Sequence, residues 1–463
     1  MSKRSDDTSS ATLTTYPPVE AELLSNPGRP SFRYLLINHV PFGKGPGPGL
    51  YRIGAMWLED LRAQAKAWAP FGRLTVATPL DEELSVEASG SFDLVEVDIA
   101  CEDFDYRPLP HYASWREFAG ALPNLRREIN RLCAAADIVQ CDYGGHPVSL
   151  GQLAWRAAKR QHKATIWLFD GADPFPRIHR GVAEEKETLK RSVKRQLATR
   201  FEAFCRKAIA ESDLVFTHNA AVQQRFSEVW GSNGHAFDRS FVKQSFVLSE
   251  EEVSRRITRL LDDSQPLRLV TAGRQIAIKA TDHVLQAMAM AIANGASLEL
   301  DVIGEGEDLA TYVELSKSLG LEDRVKFHGS VPYGEPLFGL LKQAHVMTVT
   351  NLTAEISRNV LLGMALGLPL ISYENPGTDN LIRDHDAGML VPRAQVDALA
   401  DAFFTAWRGR SDLVGLLLNG VNLARATTLE ATHDRRAQLA IDLLRVRETS
   451  SADGVQNGVA LRT

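Results

Sequence analysis

Short runs of apolar and β-branched residues recur along this chain. Each is followed by a longer stretch in which apolar positions return every three or four residues. The first series reads as strands at Arg33–Asn38, Arg73–Ala77, Asp93–Val97, Asp137–Gln140, Thr165–Phe169 and Asp213–Thr217. A second series follows at Leu267–Thr271, Leu298–Ile303, Arg324–His328, Val346–Thr350 and Pro369–Ser372, with a last strand at Gly388–Pro392. Strands this short and apolar, separated by helical patterns, suit parallel sheets covered on both faces. Two such series predict an α/β protein of two doubly wound, Rossmann-like domains. The expected layout is a disordered tail over 1–30, a first domain over 31–247, and an acidic linker over 248–266 holding the run Glu250-Glu251-Glu252. A second domain then spans 267–430. A helix over 431–448 is placed to pack back across the boundary, and a second disordered tail covers 449–463.

The length of 463 residues asks for two or three domains, and 44% hydrophobic with 24% charged residues is ordinary for a globular chain. A net charge of −6 argues against a general nucleic-acid binder. The four cysteines, Cys101, Cys133, Cys141 and Cys205, have no metal-ligand spacing and read as reduced thiols, the pattern of a cytoplasmic protein. The amino terminus lacks the apolar run of a signal peptide, and no stretch reaches the roughly 20 apolar residues of a membrane span. Any membrane contact is therefore expected to be peripheral.

Ligands of doubly wound sheets bind beyond the carboxyl ends of the strands, so the expected site is a cleft between the two domains. Gly273-Arg274 directly follows a strand of the second series, and Lys279 comes five residues later. Arginine can hold phosphate oxygens in a fork and lysine adds a movable point charge, so the pair suits a departing diphosphate. The same two residues also fit an ordinary loop–helix junction. Gly304 and Gly306 end the next strand, and His328-Gly329-Ser330-Val331-Pro332-Tyr333 forms a third strand-end loop whose backbone can meet a base. In a doubly wound domain all three loops fall on one edge.

The order of these elements resembles the C-terminal domain of the retaining nucleotide-sugar glycosyltransferases of the GT-B fold (the group 1, family 4-like enzymes). The matching pieces are Gly273-Arg274 with Lys279, Val302–Gly306, Arg324–Gly329, Gln343–Val346 and Met364–Ile371, and the resemblance is strong over about 267–393. It implies two Rossmann-like domains facing a central cleft, with Arg274 and Lys279 on the donor diphosphate and Glu355 on hydroxyls of the donor sugar. Gly273, Gly304, Gly306, Val331, Arg358 and Asn359 would complete the donor site. The family's second glutamate, which holds the ribose, is absent: its position falls on Leu362 or Gly363. Arg358 and Asn359 are the residues expected to take over part of that contact. For Glu355 and Arg358 an i,i+3 ion pair in a first helical turn is the alternative.

The resemblance further implies transfer of a sugar from a nucleoside-diphosphate sugar to a hydroxyl of a glycan, a lipid-linked or a small-molecule acceptor, with retention and without a metal or other cofactor. The leaving phosphate would take the proton, since no strong general base stands out. An epimerase or hydrolase on the same fold, or a non-catalytic sugar-nucleotide-binding protein, are the rival readings. On the acceptor side, the glycine-rich segment holding Gly43, Gly45 and Gly47 reads either as a flexible loop approaching the cleft or as a mobile surface loop. Phe169 stands where many relatives carry a histidine. Asp170 is the first candidate for a polar group beside the acceptor and Asp173 the second, and either can instead cap a helix. His146 and His218 read as structural groups or substrate contacts. The basic stretch 186–200 is either a solvated face or a surface for anionic lipid or a polyanionic acceptor at the inner membrane surface.

Overall fold

The structure, a computed structural model, describes residues 31–84, 94–112, 114–144, 149–169, 175, 189–218, 220–237, 242–353, 358–376 and 378–459. The apolar runs form two sheets. The first is built from β1 (Phe32–Ile37), β2 (Phe42–Lys44), β3 (Leu50–Gly54), β4 (Gly72–Asp81), β5 (Leu94–Asp98), β6 (Phe104–Pro110), β7 (Ile138–Asp142), β8 (Ala164–Phe169), β9 (Leu214–Thr217) and β10 (Gly234–Ala236). The second holds β11 (Leu267–Ala272), β12 (Leu298–Ile303), β13 (Val325–Gly329), β14 (Val346–Val349), β15 (Leu370–Tyr373) and β16 (Gly388–Val391). β7, β8, β9, β14 and β15 are buried at every position. Helices cover both faces of these strands, which is why they read as continuous apolar runs rather than alternating ones.

The two sheets share one topology. In the second, the order β13-β12-β11-β14-β15-β16 places the chain's first strand in the middle and reverses direction between β11 and β14. In the first, the parallel strands run β6-β4-β1-β7-β8-β9, so the reversal falls between β1 and β7. Such a reversal opens a crevice at the carboxyl ends of the two central strands, the usual ligand position in open α/β sheets.

Three segments differ from the sequence expectation. The glycine-rich stretch is a hairpin: β2 pairs antiparallel with β3, and Gly45 N donates to Leu50 O at 3.0 Å. A Cβ on Gly45 would lie 2.4 Å from Leu50 O, and one on Gly43 2.8 Å from the Leu84 Cβ, so these glycines serve close packing. The stretch expected to be a linker contains a helix, Glu250–Leu261, whose Val253 and Leu260 join the core of the second unit. Its acidic run occupies the first turn, where Ser249 and Glu252 form a capping box and negative charge meets the positive end of the helix dipole. The final helix runs from Leu429 to Val459, past the expected end at 448, with no proline to stop it.

That final helix belongs to the first sheet's core. Ala437, Ala440, Ile441 and Leu444 are buried with Leu58, Leu61 and Ala65 of helix Ala55–Trp68. His433 Nε2 lies 3.0 Å from Asp60 Oδ1, and Arg447 pairs with Asp213 at 2.6 Å. Arg436 meets His218 and covers the rings of Phe216 and Phe237, so His218 is tied to this crossing helix. Burying Ile441 and Leu444 contributes about 1.5–3 kcal/mol each.

The amino edge of the second sheet is held by cations donating to carbonyls. Arg256 donates to Lys342 O at 2.6 Å and to Ala344 O at 2.8 Å, and Arg259 donates to Gln343 O at 2.6 Å. The buried His345 accepts from Arg268 N at 2.9 Å through Nδ1. Burial, and then Arg259, Arg410, Arg256 and Arg268, push this imidazole down to about 3. The folded state keeps the ring neutral, while the unfolded chain protonates it below about pH 6.5. Its contribution is full above that pH and is lost as pH falls from 6.5 toward 3, at up to about 1.4 kcal/mol per unit. Between pH 7 and pH 5, urea unfolding of the second unit should lose about 1–2 kcal/mol more stability in the wild type than in His345→Asn.

Candidate active site

At the carboxyl edge of the second sheet, three strand ends are fused by backbone contacts. Gly273 N donates to Ile303 O at 3.0 Å, Gln275 N to Glu305 O at 2.8 Å and Gly304 N to Gly329 O at 2.7 Å. The approach leaves no room for side chains. A Cβ on Gly304 would sit 1.9 Å from Gly273 O, and one on Gly306 2.1 Å from Gln275 O. Gly304 also has φ +121°, which side chains other than glycine's avoid. Gln275 locks the arrangement: its buried amide donates to Gly273 O at 2.8 Å and Ile303 O at 3.2 Å, and accepts from Thr281 Oγ1 at 2.8 Å.

From this platform Arg274 projects into solvent, and its guanidinium has no hydrogen-bond or ion-pair partner among the described residues. The half-buried Lys279 is anchored through its backbone: Thr350 Oγ1 donates to Lys279 O at 2.7 Å, and Leu352 N to Ile278 O at 2.8 Å. β14 thereby grips the loop that follows β11, across the switch point. Asn359 comes to the same place, with its Nδ2 donating to Ala272 O, and it reaches within 3.7 Å of where a Cβ on Gly273 would stand. Its amide nitrogen is thus engaged by the end of β11. Arg358 opens helix Arg358–Ala365, and Glu355 lies outside the described residues. Val331 is half-buried against the cluster of Phe338 and Leu341, and the loop before it is held by Ser330 N donating to Glu305 Oε1 at 3.3 Å.

The missing second glutamate has a structural reason. Leu362 is 4% exposed, and a Cβ on Gly363 would lie 2.8 Å from the Met347 sulfur. Both positions face the core, where a carboxylate would be unpaired. Polar groups that sequence reasoning missed stand nearby instead: Asn351 Nδ2, Thr353 Oγ1 and Thr378 Oγ1 are buried without a hydrogen-bond partner among the described residues, all just past β14 or β15. Orphaned polar atoms are uncommon in folded proteins, and a polar ligand at this edge would satisfy them. They carried no signal in the chain, because isolated Asn and Thr after a strand read as turn residues.

On the first sheet, Asp170, Asp173 and His146 lie outside the described residues. Phe169 is fully buried and stacked on Tyr143 and Phe226 at ring distances of 5.2 and 5.7 Å, so this position belongs to the core. A different pair occupies the β1/β7 switch point. His39 Nδ1 stands 2.6 Å from Asp142 Oδ2, with Asp142 only 1% exposed. The charge of Asp142 reaches Tyr112, whose phenol is pushed up first by its own burial and then by that carboxylate. Of the basic stretch 186–200, residues 189–200 lie in helix Leu189–Glu211, where Val193, Arg195 and Arg200 are exposed while Ala198 and Phe201 turn into the core.

Among the described residues, no group of three or more His, Cys, Asp or Glu side chains is gathered as a metal site, and no helix is long and apolar enough to cross a membrane. A groove of about 350 Å³ opens toward the amino ends of β11–β13, away from the strand-end loops, and is lined by Arg268, Glu299, Asp301, Arg324 and His328. Within it, Arg268 pairs with Glu299 at 2.6 Å, and His328 Nε2 lies 2.7 Å from Asp301 Oδ1.

Residues 266–408 match the family described as Glycosyl transferases group 1. The amylovoran biosynthesis glycosyltransferase AmsK of Erwinia amylovora is 30% identical over 161 residues, 33% of this chain and 39% of that protein. The phosphatidyl-myo-inositol mannosyltransferase of Mycobacterium leprae is 29% identical over 167 residues, 35% of this chain and 41% of that protein. The chain thus spans about two fifths of the length of these relatives. HepE of Anabaena, solved in complex with UDP, is similar over 89% of this chain and 99% of its own, with a TM-score of 0.60 at 14% identity. That likeness is one of fold, and the fold is GT-B: two Rossmann-like domains with parallel sheets.

The lock on the strand ends can be tested directly. Gln275→Ala should cost about 2–4 kcal/mol in urea unfolding, because two carbonyls and the Thr281 hydroxyl lose a buried partner.

Proposed function

From a chain whose residues 266–408 belong to the Glycosyl transferases group 1 family, we propose a glycosyltransferase that moves a sugar from a nucleoside-diphosphate sugar to an acceptor hydroxyl. The observation that carries this reading is the placement of Arg274 and Lys279 at the carboxyl end of β11, beside the switch point and above a glycine-packed platform. An exposed arginine without a partner adds little to folding, and its position suits a diphosphate. As the bond from the anomeric carbon to the diphosphate breaks, the electron pair stays on the diphosphate, and the two cations oppose the charge that develops. The acceptor oxygen forms the new bond on the face from which the diphosphate departs, which gives retention, and the hydroxyl proton passes to the departing diphosphate.

The orphaned Asn351, Thr353 and Thr378 groups, with Arg358 at the start of helix Arg358–Ala365 and Glu355 shortly before it in the chain, are the proposed contacts to the donor sugar and phosphate. Asn359 holds the end of β11 in place beneath them. Members of this family typically use a nucleotide-sugar donor without a resident metal. HepE has also been solved with UDP-glucose, which places UDP-sugars first among donors to test. The acceptor is a glycan, lipid-linked or small-molecule hydroxyl presented from the first domain. The exposed basic positions of helix Leu189–Glu211 provide a face for an anionic acceptor or lipid surface.

Thermal-shift measurements with UDP-, GDP-, ADP- and dTDP-sugars should show stabilisation by the true donor, as mass action requires. With that donor alone, sugar release should be far slower than with acceptor present; equal rates would point to a hydrolase. Arg274→Ala should lower kcat about 10²–10³-fold while stability stays within about 0.5 kcal/mol. An unchanged transfer rate in that variant would overturn the assignment.

A further inference from the structure

Glu305 lies on the seam between the loop that follows β12 and the loop that follows β13. Its backbone ties the first of these to the Arg274 loop, with Gln275 N donating to Glu305 O at 2.8 Å. Its side chain reaches the second, where Ser330 N donates to Oε1 at 3.3 Å. The same oxygen would stand 3.5 Å from a Cβ on Gly329, whose φ of +65° turns the chain there. Glu305 is exposed, and its carboxylate has no ion-pair partner among the described residues. An ionised carboxylate has about four lone-pair sites, and the bond from Ser330 takes one. Oε2 and the second lone pair of Oε1 are left side by side at the rim of the loop. Val331 N, the next amide along, makes no hydrogen bond among the described residues, and Pro332 has no amide to give.

Two adjacent acceptors with one amide donor beside them form a recognition pattern, and the nucleobases meet it unequally. Guanine carries O6, N1–H and an N2 amino group in a row on one edge, one acceptor followed by two donors. Uracil and thymine set a single N3–H between two carbonyl oxygens, which a carboxylate repels. Adenine and cytosine place an amino group beside a ring nitrogen that only accepts. Guanine alone among these satisfies both acceptors, and hydrogen bonds to an ionised carboxylate are about twice as strong as neutral ones. A base lacking those donors leaves the polar groups of the site unpaired, which gives steep discrimination. The bridge between the loops itself needs only Oε1, and a glutamine would supply it equally well. Holding the loops together therefore does not call for the open half of the carboxylate.

Resting on the glycosyltransferase reading above, we propose that Glu305 selects a guanine nucleotide, so that the donor is a GDP-sugar. The guanine N2 amino group donates to Oε2 and N1–H to Oε1, while Val331 N donates to O6. The base then lies against the loop after β13, and the diphosphate lies at Arg274, past the end of β11. These ends are two strand spacings apart, since β12 runs between them. That separation is roughly 10 Å, about the span of a nucleoside. The likeness to HepE, at 14% identity, is one of fold and does not carry its base to this chain.

The test measures binding of GDP, inosine diphosphate, UDP, ADP and dTDP to the full chain by calorimetry, for the wild type and Glu305→Gln. GDP should bind tightest. Inosine diphosphate differs from it only in lacking the N2 amino group, and should bind about 10–10²-fold more weakly. UDP, ADP and dTDP should fall about 10²-fold or more below GDP. In Glu305→Gln the amide oxygen still accepts from Ser330 N, while an NH₂ group replaces the open oxygen. Its melting temperature should match the wild type, and its affinity for GDP should drop about 10–10²-fold. UDP should hold or tighten, because the new donor meets a uracil carbonyl. If the variant does not fold, the comparison of GDP with inosine diphosphate on the wild type decides. A wild type that binds inosine diphosphate, UDP, ADP or dTDP as tightly as GDP overturns the guanine assignment. So does a folded Glu305→Gln variant with the wild-type ratio of GDP to UDP affinity, and either result leaves the glycosyltransferase reading standing. A wild type that binds none of the five, and consumes none of GDP-mannose, UDP-glucose, ADP-glucose and dTDP-glucose, overturns that reading and the guanine assignment with it.

Discussion

The carboxyl edge of the second sheet depends on backbone packed against backbone. A parallel sheet ends in a row of carbonyl and amide groups that need partners, and loops usually satisfy them one strand at a time. Here Gly304 lets the loop after β12 lie directly on the loop after β11, and the amide of Gln275 is buried in the seam. Three strand ends become one rigid surface. The side chains that would have filled the space are absent, so Arg274 stands on a platform without an ion-pair partner among the described residues. A larger residue at Gly304 would separate the loops and move Arg274 relative to the end of β14, which is the geometry a diphosphate would sense.

Much of this was legible in the chain because it is local. The runs Leu267–Thr271 and Leu298–Ile303 are short, rich in leucine, valine and isoleucine and mostly buried, and glycine closes each strand, Gly273 after Ala272 and Gly304 after Ile303. Features misread or missed follow from physics that composition hides. Glycine and proline between 43 and 49 signal a loop in isolation, but in the structure they allow a close hairpin beside β4. Glu250-Glu251-Glu252 looks like a solvated linker until Ser249 is seen capping a helix whose dipole favours that charge. His39 and Asp142 gave no signal at all, because nothing local relates two residues on neighbouring strands separated by the connection that reverses the sheet.

The crossing helix shows why the two units act together. The chain passes from the first unit to the second near Val242 and returns near Leu429, and the two crossings are joined, with Leu429 N donating to Val242 O at 2.8 Å and Gln244 N to Glu430 Oε2 at 2.9 Å. Beyond that point Ala440, Ile441 and Leu444 complete the core of the first sheet. The first unit therefore relies on residues that follow the second one in sequence. A pair of adjacent crossings constrains relative movement of the units more than a single linker would, and movement concentrated there would leave both carboxyl edges internally unchanged.

The two switch points are equipped in opposite ways. At β11/β14 a cation is left in solvent, where it contributes almost nothing to folding because water already screens it. At β1/β7 a carboxylate is withdrawn from water, where an unmatched charge costs several kcal/mol. Neither choice is favoured by stability alone. Under the transfer proposed above, negative charge would accumulate on the departing diphosphate, which calls for exposed cations able to move with it. The electrostatic effect of an anion is largest where solvent is excluded, and Asp142, 1% exposed, lies beneath His39, whose side chain is 46% exposed.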